Sequence, residues 1–72
     1  MVKTVVKIDG MMCGMCEAHV NDAIRNNFTI RKVKSSKRKK EAVVVSEHSL
    51  DETKMKEVIG QTGYVFIAME EQ

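Results

Sequence analysis

The segment Gly10 to Cys16 reads Gly-Met-Met-Cys-Gly-Met-Cys and holds the residues best suited to chemistry. Its two cysteines, Cys13 and Cys16, are the only cysteines of the chain. A Cys-x-x-Cys spacing lets both sulfur atoms converge on one point. Thiolate is the form of cysteine that binds metals, and this soft ligand selects Cu(I), Zn(II) and related ions over hard cations. The spacing therefore indicates Cys13 and Cys16 as ligands of one soft metal ion.

The number of further ligands distinguishes between these metals. A structural zinc site needs four ligands, for example two cysteines and two histidines, and the spacing of His19 and His48 does not fit a zinc-finger pair. Met12 and Met15 flank the cysteines and could lend a thioether to Cu(I), although loop methionines more often serve only as apolar cover. Because two thiolates suffice for Cu(I), the ligand count favours Cu(I), with Zn(II) or another soft ion as the alternative.

An enzyme is the rival interpretation of the same motif, since thiol–disulfide oxidoreductases also use Cys-x-x-Cys. Thioredoxin-like enzymes are longer, follow a different strand order and place a cis-proline beside the active site, whereas this chain has 72 residues and no proline. A chain of this size also has little scaffold with which to enclose a substrate. We therefore expect a binding module and not an enzyme.

The elements on either side of the cysteines determine how the two thiols are presented. Val2 to Asp9 is rich in β-branched residues and partly alternating, which predicts a first strand that ends at Gly10. Apolar residues at helical spacing predict a first helix from about Met15 to Asn26. The second cysteine lies at the opening of this helix, whose positive N-terminal end stabilises thiolate over thiol.

Two strand candidates joined by a strongly basic turn follow the first helix. The strands are Ile30 to Ser35 and Glu41 to Ser46, and the turn reads Ser-Lys-Arg-Lys-Lys over residues 36–40. Such a turn discourages edge-to-edge aggregation, or it steers the protein to an acidic partner. Because interleaved aromatic residues and a groove-reading helix are missing, we expect no nucleic-acid binding.

A second helix and a last strand complete the pattern. Ser49 or Asp51 can cap the helix, and Gly63 is well placed just after its C-terminus. The apolar stripe of the helix consists of Met55, Val58 and Ile59. Tyr64 to Met69 is predicted as the last strand. The order predicts an α+β, ferredoxin-like βαββαβ sandwich, in which an antiparallel four-stranded sheet carries both helices on one face.

Residues 1–72 are expected to form a single domain, because no proline, low-complexity stretch or linker-like segment divides them. No run of about 20 apolar residues is present, so we expect no membrane insertion. The first residues lack the apolar segment of a signal peptide. We expect a cytoplasmic location, where closely spaced cysteines are more often metal-binding or redox-active than joined in a structural disulfide.

Gly10, Met11, Cys13 and Cys16 together match the motif Gly-Met-x-Cys-x-x-Cys. The segment resembles the heavy-metal-associated domain family, which carries this motif in the loop between its first strand and first helix. The resemblance extends along the chain, to helix positions and to the Gly-aromatic pair before the last strand. The matching residues are Val20, Ala23 and Ile24, then Gly63 and Tyr64. Family members are copper chaperones, N-terminal domains of metal-pumping P-type ATPases and mercury carriers, all with a βαββαβ fold.

The resemblance implies roles for individual residues. Cys13 and Cys16 would be the metal ligands, Met11 would be buried beneath the loop, and Tyr64 would lie near the site and shield it. Met12 departs from the family, since copper-handling members usually have threonine or histidine there and zinc-handling members often have aspartate. A second departure is Thr29, which replaces a common glycine between the first helix and the second strand.

The implied function is a Cu(I) chaperone that delivers its ion by thiolate exchange to a metal-transporting P-type ATPase or a copper-responsive regulator. A carrier or buffer of Zn(II), Cd(II) or Hg(II) is the alternative within the family. We expect a monomer, or a dimer in which two molecules share one ion.

Overall fold

The computed structural model describes residues 1–12 and 14–72, so the prediction for Cys13 lies outside the described residues. Six elements follow one another in the predicted order of strand, helix, strand, strand, helix, strand. They are β1 (Val2–Asp9), α1 (Gly14–Asn27), β2 (Lys32–Ser36), β3 (Glu41–Ser46), α2 (Glu52–Gln61) and β4 (Val65–Glu71).

The predicted start of β2 at Ile30 is wrong by two residues. The helical hydrogen-bonding pattern continues past Asn27, since the Phe28 N–H donates to the carbonyl of Ile24 at 3.0 Å. The chain therefore leaves the helix late, and residues 29–31 form the connection. The departure at Thr29 thus lies in a three-residue connection, and the strand begins at Lys32.

The last strand also differs from its prediction. Tyr64 precedes β4 instead of beginning it, and the strand continues beyond Met69 to Glu71. The extension has a partner in β1, because the Gln72 N–H donates to the Lys3 carbonyl at 2.7 Å. Pairing with a central strand thus extends β4 over glutamates that have low strand propensity themselves.

The sheet has the order β2-β3-β1-β4, and every neighbouring pair is antiparallel. In the middle of β1, Val6 lies opposite Ala42 of β3 and Met69 of β4. The register with β4 shifts between Lys7 and Ile8. Because β1 is an inner strand, the loop that follows it leaves the middle of one end of the sheet.

Both helices cover the same face of this sheet. Alternate residues of β1 and β3 form one buried cluster with residues of α1 and α2, which confirms the predicted ferredoxin-like sandwich. The cluster contains Val6, Ile8, Met11, Val20, Ile24, Ala42, Val44, Met55 and Ile59. In the described parts of the chain, no helix is both long and apolar enough to cross a bilayer.

The ends of α2 show how the chain enters β4. Asp51, one of the two predicted caps, accepts a hydrogen bond from the Lys54 N–H at 3.1 Å. Thr62 is the C-cap. Gly63 follows with a φ of 92°, a conformation that favours glycine and reverses the chain. The reversal places Tyr64 at the same end of the sheet as the loop after β1.

Candidate metal site

The loop between β1 and α1 begins with a sharp turn at Gly10. Its φ of 99° lies in the region that L side chains rarely adopt. The Gly10 N–H donates to Oδ1 of Asp9 at 2.9 Å, which stabilises the turn. The predicted strand end at this glycine is confirmed.

Cys16 lies in the first turn of α1, which begins at Gly14. Its side chain is partly exposed and packs against the core cluster. The first turn of a helix presents N–H groups without intrahelical partners and carries partial positive charge. Cys16 is thus held by packing on one side, accessible on the other, and located where an anionic sulfur is favoured.

The methionines of the loop, Met11 and Met12, and Met15 in the first turn of α1 have different environments. Met11 is only 7% exposed and belongs to the core cluster, so its expected burial is confirmed. Met12 is 82% exposed and Met15 is 71% exposed. Their exposure places two thioether side chains at the surface beside the cysteine motif.

Tyr64 lies against the start of the loop. A Cβ atom placed on Gly10 would lie 3.5 Å from Cδ1 and 3.8 Å from Cα of Tyr64. The ring is half-buried and packs against the core cluster. Asp9 of β1 pairs with Val65 of β4. Gly10 follows Asp9 and Tyr64 precedes Val65, so this pairing brings Gly10 and Tyr64 together. The expected position of Tyr64 near the loop is confirmed, and shielding of an ion by its ring stays a prediction.

The two histidines lie in different parts of the fold. His19 is exposed on α1, three residues after Cys16. His48 follows β3, whose Ser46 is paired with Val2 at the end of the sheet remote from Gly10. The Ser46 hydroxyl donates to the His48 carbonyl at 2.6 Å and holds the segment there. Within residues 1–12 and 14–72, no three His, Cys, Asp or Glu side chains form a group that could hold a metal ion.

The basic turn of residues 37–40 lies at the same end of the sheet as the loop. The Ile8 N–H donates to the Lys40 carbonyl at 2.9 Å. The Lys37 N–H donates to Oε2 of Glu17, in the first turn of α1, at 2.7 Å. Sequence reasoning missed this role of Glu17, because its position in the first turn is equally explained by the helix dipole.

This chain is similar to known proteins in its three-dimensional structure. No family model matches the chain, and no curated protein matches it either. A copper-binding domain from HMA7, a P-type ATPase, superposes with a TM-score of 0.80 and 29% sequence identity, over 97% of this chain and 99% of that domain. This chain has the heavy-metal-associated domain fold.

Other proteins with the heavy-metal-associated fold superpose almost as well. The CopZ metallochaperone gives a TM-score of 0.78 at 21% identity, over 90% of this chain and 98% of that one. The N-terminal domain of ZntA, solved in its Zn(II) form, gives 0.79 at 18% identity, over 99% of this chain and 92% of that domain. The heavy-metal-associated fold is therefore common to a copper-binding domain and a zinc-binding one, and it does not identify the metal.

Proposed function

We propose that this chain binds one Cu(I) ion between the thiolates of Cys13 and Cys16 and passes it to a partner by thiolate exchange. The observation that carries the proposal is the location of Cys16. It lies partly exposed in the first turn of α1, within a fold shared with a copper-binding ATPase domain and a metallochaperone. The Cys-x-x-Cys spacing adds Cys13 as the second ligand.

Ligand exchange needs an accessible ion with a low coordination number. A third sulfur from a partner can bind an ion held by two thiolates before the first thiolate leaves. The exposure of Met12 and Met15 supports this step, because the surface around the motif is open to an approaching molecule. The buried side chain of Met11 anchors the other side of the loop to the core, so that exchange need not disturb the fold.

The choice of Cu(I) over Zn(II) rests on the supply of further ligands. His48 is located at the remote end of the sheet. Met12 stands where zinc-handling members of the family often have aspartate, and Cu(I) does not favour such a hard oxygen ligand. Two soft thiolates suit Cu(I) better than they suit Zn(II), which needs four ligands in a tetrahedral site.

The partner in this proposal is a metal-transporting P-type ATPase or a copper-responsive regulator in the cytoplasm. The basic turn of residues 37–40 supports an acidic docking surface on that partner, because it lies at the same end of the molecule as the cysteine motif. The protein acts as a monomer that delivers its ion. Buffering of Zn(II), Cd(II) or Hg(II) is the alternative within the same fold.

Competition between metals tests the proposal. The reduced protein is titrated with Cu(I) in the presence of a calibrated Cu(I) chelator, with and without excess Zn(II). We expect Zn(II) to leave the Cu(I) affinity unchanged, and Cys13→Ser or Cys16→Ser to abolish tight binding. Ser49→Ala, in the exposed segment before α2, is the matched control and should bind as the natural protein does. Unchanged Cu(I) affinity in both cysteine variants would refute the site.

A thiol–disulfide oxidoreductase is the rival from another class. The wholly antiparallel sheet and the similarity to a copper-binding domain support the carrier function over a thioredoxin-like enzyme. Reduction of insulin by the metal-free protein in the presence of dithiothreitol distinguishes the two classes. We expect no acceleration over dithiothreitol alone, and turnover typical of an oxidoreductase would overturn the carrier function.

A further inference from the structure

The face of the sheet opposite the helices carries a group of lysines around a strip of valines. Side chains of β1 alternate between the two faces of the sheet. Val6 lies on the face covered by the helices, so Lys3 lies on the open face. Lys3 on β1 and Lys32 on β2 lie on either side of Val45 on β3. We call this surface the lysine face; it consists of Lys3, Lys32, Lys34, Val43 and Val45.

The lysine face is a shallow depression and not a flat surface. Its five residues line a cavity of about 360 Å³ that is open to solvent. Val43 and Val45 form a half-buried apolar floor, and the three lysines are exposed at its margin. A ligand for this surface therefore needs small apolar groups flanked by negative charges.

The lysines of this face form no ion pairs with the described acidic residues nearby. These are Glu70 on β4, opposite Val5, and Glu41, which borders a neighbouring depression with Lys34. Lys7, farther along the same side of β1, pairs with Glu41 at 3.5 Å. Among residues 1–12 and 14–72, no ion pair involves Lys3, Lys32 or Lys34. The depression thus carries excess positive charge in the native protein.

Protection of a sheet edge explains only part of this charge. β2 is an edge strand, and exposed lysines such as Lys32 and Lys34 commonly prevent edge strands from pairing with other molecules. Lys3 lies on β1, which is paired on both sides and needs no such protection. Edge protection therefore does not account for Lys3, which adds a third positive charge beside the valine strip.

We propose that the lysine face docks an acidic, extended protein segment in which carboxylates and small apolar side chains alternate at every second residue, so that both kinds face the same side. Carboxylates spaced along such a segment would pair with the three lysines, and the intervening apolar side chains would cover Val43 and Val45. A membrane surface fits less well, because interfacial membrane binding uses large apolar or aromatic side chains and the floor here consists of valines.

This docking surface is separate from the proposed metal site. Lys3 lies near the start of β1, and the cysteine motif follows the end of that strand, roughly 20 Å away at the usual rise of a β-strand. The helices also lie on the other face. A partner held at the lysine face would therefore leave the cysteine motif accessible, and its binding does not depend on the metal.

Nuclear magnetic resonance titration tests the proposal with the full chain. The probe is an acetylated, amidated peptide of two Glu-Glu-Val-Val repeats, which in an extended chain presents glutamate and valine on the same side, added to the isotope-labelled protein at low salt. We expect amide shift changes centred on Val43, Val45 and Lys3, which weaken as salt is added. The variant Lys3→Gln/Lys34→Gln should bind the peptide roughly three- to tenfold more weakly, as expected for two partly exposed ion pairs.

Controls separate this surface from general charge effects and from the metal site. Lys56→Gln, on the exposed side of α2, removes a positive charge elsewhere and should leave peptide affinity unchanged. The double variant should keep the Cu(I) affinity of the natural protein. The proposal is overturned if millimolar peptide shifts no residue of the lysine face or if Lys56→Gln loses as much affinity. Binding to phosphatidylserine vesicles but not to the peptide would also overturn it.

Discussion

Gly10 holds the turn from which the cysteine motif begins. Its positive φ is unfavourable for any residue with a Cβ atom, although the distance of 3.5 Å to Tyr64 would be an ordinary contact. We therefore expect Gly10→Ala to lower the free energy of unfolding by about 1 kcal/mol through backbone strain. Urea denaturation monitored by circular dichroism measures the change.

Gly60 supplies the matched control for this prediction. It lies within α2, and an added Cβ atom would meet nothing within 4 Å. Gly60→Ala should raise the free energy of unfolding by up to about 1 kcal/mol, because alanine is the better helix former. Equal destabilisation by the two substitutions would show that backbone conformation at Gly10 is not the cause.

Thr4 is a buried residue whose hydroxyl is not satisfied. Its side chain is fully buried, and Oγ1 has no hydrogen-bond partner among the described residues. Thr4→Val keeps the shape and removes the desolvated hydroxyl, so we expect it to raise the free energy of unfolding by about 1 kcal/mol. Thermal and urea unfolding measure this change.

Ser46, on the neighbouring strand β3, is a buried residue whose hydroxyl does have a hydrogen-bond partner. Its buried hydroxyl donates to the His48 carbonyl at 2.6 Å, so Ser46→Ala should lower the free energy of unfolding by about 1 kcal/mol. A stability loss in Thr4→Val as large as that in Ser46→Ala would contradict the assignment of an unpaired hydroxyl at Thr4. Alternation in β1 predicts that Thr4 is buried, but the lack of a partner depends on three-dimensional packing.

At the scale of elements, a hydrogen bond connects the start of α1 to the basic turn. The Glu17 carboxylate accepts the Lys37 N–H at 2.7 Å and links the two. Glu17→Ala should leave this amide exposed, so we expect its hydrogen exchange to accelerate severalfold. Asp22→Ala removes an acidic residue that pairs instead with Arg25 at 3.1 Å, and it should leave the exchange of Lys37 unchanged. Equal acceleration in both variants would mean that general charge, not the link, protects the amide.

The boundaries of the elements show what sequence patterns could and could not predict. Apolar periodicity and turn residues were enough for the order of all six elements, because each pattern is local. The start of β2 depends on the late exit from α1 after Phe28, and the end of β4 depends on its pairing with Lys3. The end of β4 follows from a contact between distant parts of the chain, which local patterns do not contain. The exit from α1 rests on a local hydrogen bond from Phe28 to Ile24, but apolar periodicity does not define the last turn of a helix to within one or two residues.

At the scale of the whole molecule, the register of the sheet arranges the candidate ligands. The sequence predicted Cys16 as a ligand and named both histidines as candidates for further ligands, and the burial of Met11 followed from the family resemblance. Only the pairing of Ser46 with Val2 shows that His48 lies at the end of the sheet remote from the loop. The exposure of Met12 was also unpredictable, because a loop residue has no periodicity that indicates a buried side.

Metal binding should stabilise the whole domain if the ion binds the folded state. At free Cu(I) about 1,000 times the dissociation constant, the free energy of unfolding should rise by up to about 4 kcal/mol. Thermal unfolding under reducing conditions, with and without Cu(I), measures this change. Cys13→Ser/Cys16→Ser should unfold like the metal-free natural protein and show no response to Cu(I). An equal response in that variant would place the stabilising ion elsewhere.

X-ray absorption spectroscopy of the Cu(I)-loaded monomer at the copper edge identifies the atoms bound to the ion. We expect a first shell of two sulfur donors without nitrogen or oxygen, and loss of this shell in Cys13→Ser/Cys16→Ser. A shell of four donors, or one without any copper–sulfur bond, would contradict a two-thiolate site at the start of α1.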